Sequence, residues 1–117
     1  VVSLRIKRVY DPPSQSDGLR VLVDRLWPRG LKKEDAKIDL WMKNIAPSPD
    51  LRRWFAHDPS RWEEFAKRYE EEIVNTPEFR ELRKICSNQD VTLLFASRNR
   101  EMNNAVVLRV LLSMNRK

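Results

Sequence analysis

The sequence predicts one α/β domain, a small, mostly parallel sheet of three to four strands flanked by helices. Three observations carry that prediction. Apolar strand-like segments alternate with amphipathic helical ones, the order that builds a parallel sheet with helical crossovers. The run Val91-Thr92-Leu93-Leu94-Phe95-Ala96 is apolar almost throughout, as a strand covered on both faces must be. Ser48-Pro49, Asp58-Pro59 and Thr76-Pro77 each set a side-chain acceptor before a proline, a repeated helix-start device in the middle of the chain. The 117 residues are one domain by size, long enough to bury roughly two-thirds of the unfolded chain's surface.

From the N-terminus, residues 4–10 read as a strand with Leu4, Ile6 and Val9 inward. Residues 11–18 (Asp-Pro-Pro-Ser-Gln-Ser-Asp-Gly) have the chemistry of a loop. Residues 19–24 alternate Leu19, Val21 and Val23 with Arg20, Leu22 and Asp24, which suits a mostly buried strand, and residues 38–42 read as a short third one. Helical segments follow. Trp62, Phe65, Ala66, Tyr69 and Ile73 fall at helical spacing, as do Phe79, Leu82 and Cys86. Such stripes are read as core in preference to a platform for stacking bases. After residues 91–96, the polar turn Ser97-Arg98-Asn99-Arg100-Glu101 leads into a last helix over residues 102–114, apolar on most sides.

Composition narrows function. A chain 41% hydrophobic and 34% charged is globular and not disordered. Charge interrupts the first eight residues too early for a signal peptide, and no apolar stretch approaches a membrane span. With Cys86 as the single cysteine, a reducing compartment is favoured, so the expectation is a soluble, cytoplasmic protein with no membrane partner. One histidine and one cysteine provide no zinc cluster of the usual kinds, and no metal is expected. Gly18 and Gly30 are the only glycines, which excludes both a dinucleotide fingerprint and a P-loop, and no cofactor is implied. The net charge of +6 favours acidic partners. Acids gather in Glu63, Glu64, Glu70, Glu71 and Glu72, whereas Arg20, Arg25, Arg29, Lys32 and Lys33 face only Asp17 and Asp24 nearby.

The candidate site follows from strand polarity. Ligands of open parallel sheets bind beyond the carboxyl ends of the strands. If the strands at residues 21–23 and 93–96 are parallel neighbours, the loops 24–30 (Asp-Arg-Leu-Trp-Pro-Arg-Gly) and 97–100 meet there. Arg25, Arg29, Arg98 and Arg100 are candidates to present guanidinium forks to phosphate or carboxylate. The start of the last helix adds N–H groups and a positive dipole end, and Asn99, Asn103 and Asn104 add polar groups beside it. Trp27 lies in the first loop, where it either contacts ligand or folds the loop onto the core; Asp24 orients an arginine, pairs with Arg29, or acts as a base if desolvated. His57, between a helix end and a capping Asp58, reads first as a dipole-compensating residue and second as a general acid or base. Asp24 and His57 are thus the only weak catalytic candidates, while Cys86 reads as core.

Several motifs carry a family resemblance. Tyr10-Asp11-Pro12-Pro13, the run from Asp17 through Gly30, Ala46-Pro47-Ser48, Trp54-Phe55 with His57-Asp58-Pro59, and Leu93-Leu94-Phe95-Ala96-Ser97 followed by Asn103 and Ala105-Val106-Val107-Leu108 resemble the YeaO-like proteins, across about residues 5–112. The resemblance implies a compact cytoplasmic α/β protein and no established reaction. Related branches begin the last helix with a Cys-His-Arg-like motif and YeaO-like members with Asn-His; the corresponding pair here is Asn103-Asn104. That departure removes the thiol and the histidine, and with them any mechanism built on either. The leading expectation is therefore binding of a phosphate-bearing small molecule or nucleotide at the strand ends. The alternatives are nucleic-acid binding through the basic segment, and a hydrolase or nucleotide-processing enzyme using Asp24 or His57.

Overall fold

The computed structural model describes residues 2–114. Four strands, β1 (Leu4–Arg8), β2 (Leu19–Leu22), β3 (Leu40–Trp41) and β4 (Val91–Phe95), form one sheet in the order β1-β4-β2-β3. Every neighbouring pair is parallel. The last strand is thus the central one, and all five of its residues are buried, which explains its unbroken apolar run. Its register places Ile6 and Val21 opposite Leu93. The third strand is shorter than residues 38–42 suggest: two residues pair with β2, and Asp39 N–H and Met42 N–H add single bonds to the Arg20 and Leu22 carbonyls.

Five α-helices complete the chain: α1 (Lys33–Ala36), α2 (Pro49–Phe55), α3 (Trp62–Ile73), α4 (Pro77–Asn88) and α5 (Asn104–Met114). The three proline-marked starts all carry their caps. Ser48 Oγ accepts from Leu51 N–H at 3.1 Å, Asp58 Oδ1 from Ser60 N–H at 3.0 Å, and Thr76 Oγ1 from Phe79 N–H at 3.2 Å. Asp58 opens a single 3-10 turn, Pro59–Arg61, that runs straight into α3. The last helix begins two residues later than residue 102, because Asn103 stays outside it and caps it through Oδ1, which accepts from Val106 N–H at 3.0 Å. No helix among the described residues is long and apolar enough to cross a membrane.

The two faces of the sheet are covered unequally. Val21, Val23, Val91, Leu93 and Phe95 point to one side, where residues of α2 to α5 close the main core. On α3 the predicted stripe is realised as Phe65, Tyr69 and Ile73, all buried; each such side chain stabilises the fold by about 1.5–3 kcal/mol. Val9, Leu22 and Leu94 point to the other side and meet Trp27, Leu31, Ile38, Trp41 and Ala96, so this face is roofed mostly by the segment between β2 and β3. The same face carries a buried ionic cluster. Arg20, in mid-β2, donates to Asp17 Oδ2 at 2.6 Å and to the carbonyls of Ala36 and Lys37 at 2.9 Å, while Lys7 Nζ reaches Asp17 at 3.0 Å. Gly18, between Asp17 and β2, has φ +64°, and any Cβ there would lie 2.4 Å from the Asp90 carbonyl oxygen.

These two faces create the crevice. The segment leaving β2 crosses to the second face, whereas the chain leaving its neighbour β4 enters α5 on the first. Adjacent parallel strands whose connections diverge to opposite faces leave a gap at their carboxyl ends, the switch point where open α/β sheets hold ligands.

Candidate functional site

At that gap lies a cleft of about 1000 Å³. One wall is the loop from Asp24 to Arg29 with Tyr10 beside it; a second is the end of β4 and the turn into α5, from Ala96 to Asn104; the third, Ala46 to His57, belongs to α2 and its flanks.

Asp24 sits where β2 ends, and its carboxylate ties two walls together. Oδ2 accepts from Ala96 N–H at 2.8 Å and Oδ1 from Asn104 Nδ2 at 3.1 Å. Asn104 also donates to the Val23 carbonyl at 2.9 Å. Burial raises the Asp24 carboxyl above its ordinary value, opposed by those two hydrogen bonds and by the charge of Arg52. Among the described residues Asp24 forms no salt bridge, so the Asp24–Arg29 pairing weighed from the sequence is not formed.

Arg25 follows, and its guanidinium is poorly satisfied. Nη2 makes long contacts of 3.3 and 3.4 Å to the Ala46 and Pro47 carbonyls, and Nε is buried without a hydrogen-bond partner. The rest of the loop is fixed by its own bonds. Trp27 Nε1 donates to the Leu31 carbonyl at 2.7 Å, and its ring meets Trp41 edge-on at 5.4 Å. Trp41 Nε1 in turn donates to the Asp24 carbonyl at 2.8 Å, and Tyr10 Oη donates to the Arg29 carbonyl at 2.8 Å. Trp27 therefore both folds the loop onto the second sheet face and lines the cleft.

In the β4–α5 turn, carboxamides shape the backbone. Asn99 Oδ1 accepts from Glu101 N–H and Met102 N–H at 2.9 Å, and Asn103 Nδ2 donates to the Asn99 carbonyl at 2.9 Å. Asn99 and Asn103 thus line the cleft with side chains already committed to the turn and the cap. Arg98 is exposed at the rim. Arg100 turns away: it is absent from the cleft lining and forms a bidentate pair with Asp11 at 2.7 and 2.8 Å, which holds the Asp11 carboxyl below its ordinary value.

His57 does reach the cleft, from a turn in which Ala56 and His57 both have positive φ, 48° and 56°. The structure therefore brings together Asp24, Arg25, Trp27, Arg29, His57, Arg98, Asn99, Asn103 and Asn104, and leaves Arg100 out. Arg52 and Arg53 of α2 are additional, with Phe55 and Phe65 behind them. Their caps and stripes are legible in sequence, but which end of which strand α2 crosses is not. Arg53 is engaged by Asp50; Arg52 has no carboxylate partner among the described residues. Five arginines and a single carboxylate, Asp24, line the cleft, so its field is strongly positive. No three His, Cys, Asp or Glu side chains among the described residues gather as metal ligands would.

Fold and cleft together define a small all-parallel α/β protein with a cationic crevice at the carboxyl ends of its central strands. The chain belongs to the family described as the inactive DUF488-N3 subclade, which it matches over residues 3–117. It is 44% identical over 110 residues to the uncharacterized protein Rv3073c of Mycobacterium tuberculosis (strain H37Rv), covering 94% of this chain and 93% of that one. It is likewise 44% identical over 108 residues to the uncharacterized protein YeaO of Escherichia coli (strain K12), covering 92% and 94%. The YeaO-like resemblance read from the motifs is thereby established. No solved structure matches the chain significantly.

Proposed function

We propose that the cleft binds a phosphate-bearing small molecule or nucleotide. The observation that carries this reading is Arg25, a guanidinium with a buried, unpartnered Nε and no carboxylate against it, set in a cleft lined by four further arginines. A buried donor left unsatisfied costs the fold about 1–3 kcal/mol, and a bidentate anion would remove that cost with the geometry guanidinium favours. Arg29, Arg52 and Arg98, each without an ion pair among the described residues, surround the same space. Trp27, Phe55, Pro47 and Met102 supply apolar wall for the remainder of a ligand.

Binding is favoured over turnover. Both carboxylate oxygens of Asp24 already accept protein hydrogen bonds, and the description of the family as inactive agrees with a site that holds its ligand unchanged. Calorimetry with inorganic phosphate and nucleoside monophosphates tests the reading at fixed ionic strength. Arg25→Ala is expected to weaken binding tenfold or more, and Arg29→Ala by less, since Arg29 is exposed. Equal affinity in wild type and both variants would end the proposal.

A further inference from the structure

Asp24 poses a problem that a purely cationic anion site does not answer. It is the one carboxylate in the cleft lining, it is mostly buried, and no lysine or arginine among the described residues lies within salt-bridge distance of it. A phosphate drawn in by Arg25 and its neighbours meets Asp24 as a repelling charge. Its role in joining β2 to β4 is real, since it accepts from Ala96 N–H and Asn104. A neutral acceptor would serve that join without carrying an unpaired charge into a desolvated place.

An ionised carboxylate offers about four lone-pair sites on its two oxygens. Here each oxygen takes one protein donor, so each retains capacity toward the cleft that Asp24 lines. A half-buried acceptor of that kind is satisfied by a hydroxyl donor. A ligand that fits both halves of the cleft therefore carries its negative charge at one end, against Arg25, and hydroxyl groups nearby, against Asp24. We infer that the ligand is a phosphorylated sugar, free or as the ribose phosphate of a nucleotide, with Asp24 accepting from a sugar hydroxyl. This deepens the phosphate reading and rests on it. The carboxylate then selects: it penalises a bare anion and rewards one that brings donors, which is how a polar site discriminates against ligands lacking the matching group.

The test compares three probes on the full chain by calorimetry at one ionic strength: methyl phosphate, ribose 5-phosphate and adenosine 5′-monophosphate. Ribose 5-phosphate is expected to bind at least tenfold more tightly than methyl phosphate. Asp24→Asn is expected to abolish that advantage while leaving methyl phosphate bound as well as before or better. The wild-type comparison needs no variant, so a misfolded Asp24→Asn leaves the inference exposed to refutation. Equal affinity for methyl phosphate and ribose 5-phosphate, or an advantage that survives in a folded Asp24→Asn, overturns the sugar assignment and spares the phosphate reading. Absence of binding by all three probes overturns both. Adenosine monophosphate binding more tightly than ribose 5-phosphate supports a nucleotide as the source; equal or weaker binding supports a free sugar phosphate.

Discussion

Arg20→Met is the sharpest probe of how the fold supports its cleft. The Arg20 side chain is 5% exposed and donates to Asp17 and to the carbonyls of Ala36 and Lys37, so it ties β2 to the end of the segment that begins at Asp24. Methionine keeps the length of the apolar stem and removes every donor. Breaking a buried ion pair from one side costs about 3–5 kcal/mol, since the other charge is left behind. Lys7 at 3.0 Å and Ser14 N–H at 2.9 Å still hold Asp17, which places the loss near the lower bound, about 3 kcal/mol. At this chain length each kcal/mol moves the melting temperature by about 4 °C, so Tm should fall by about 12 °C. Urea unfolding and calorimetry on Arg20→Met, Asp17→Asn and the double variant measure both the loss and the coupling. The double variant should be less destabilised than the two single losses combined, because removing both charges leaves no orphan. A loss below about 1 kcal/mol, or strict additivity, would refute the view that this cluster holds the roof of the second sheet face.

Two further outcomes follow from buried polar groups near the cleft. Tyr69 is fully buried and its hydroxyl donates to the Ile45 carbonyl at 2.6 Å, directly before the Ala46-Pro47 wall; Tyr69→Phe should cost about 1–3 kcal/mol in urea unfolding, and a change indistinguishable from zero would mean the bond is not formed. Asp24 makes stability fall with rising pH. Because burial raises its carboxyl, the folded chain keeps that proton longer than the unfolded chain, so the contribution is fully present below about pH 4 and is lost as pH rises through the raised value. The stability of wild type relative to Asp24→Asn should therefore decline between pH 4 and 7, and a flat difference would contradict desolvation as the dominant cause.

Much of the architecture is legible in local chemistry. The caps at Ser48, Asp58 and Thr76 depend only on neighbouring residues, and β4 declares itself because burial on both faces leaves no room for alternation. Arg20 shows where local reading stops. In sequence it belongs with Arg25, Arg29, Lys32 and Lys33 as a basic segment; in the fold it is withdrawn from the surface, 4% exposed against Asp17. Period-two alternation places Arg20 and Leu22 on one sheet face together, but not whether a carboxylate waits there; Asp17 does so through the turn at Gly18. The four-residue α1 has no side-chain cap and no apolar stripe to announce it. Arg52 and Arg53 were similarly hidden, since α2 reaches the strand ends by a tertiary arrangement that no window of sequence contains.

The same distinction separates Asn103 and Asn104, which a motif comparison treats as one pair. Asn103 is a cap: its carboxamide is divided between Val106 N–H and the Asn99 carbonyl, and it is 4% exposed. Asn104 occupies the place where YeaO-like members carry histidine, and its single Nδ2 donates both to the Val23 carbonyl and to Asp24 Oδ1. An imidazole carries at most one hydrogen on each ring nitrogen and cannot reproduce that fork from one atom. The substitution therefore does more than remove a titratable ring. It fixes Asp24 in place against β2 and β4 with a group that neither gains nor loses a proton in the physiological range, while Ala96 N–H holds the other oxygen. A carboxylate clamped from both sides is a poor general base and a well-ordered acceptor, and the arginines opposite it are stationed for an anion. The chemistry removed at Asn104 and the order gained at Asp24 are two consequences of one residue, and both favour a cleft that selects a ligand by holding it.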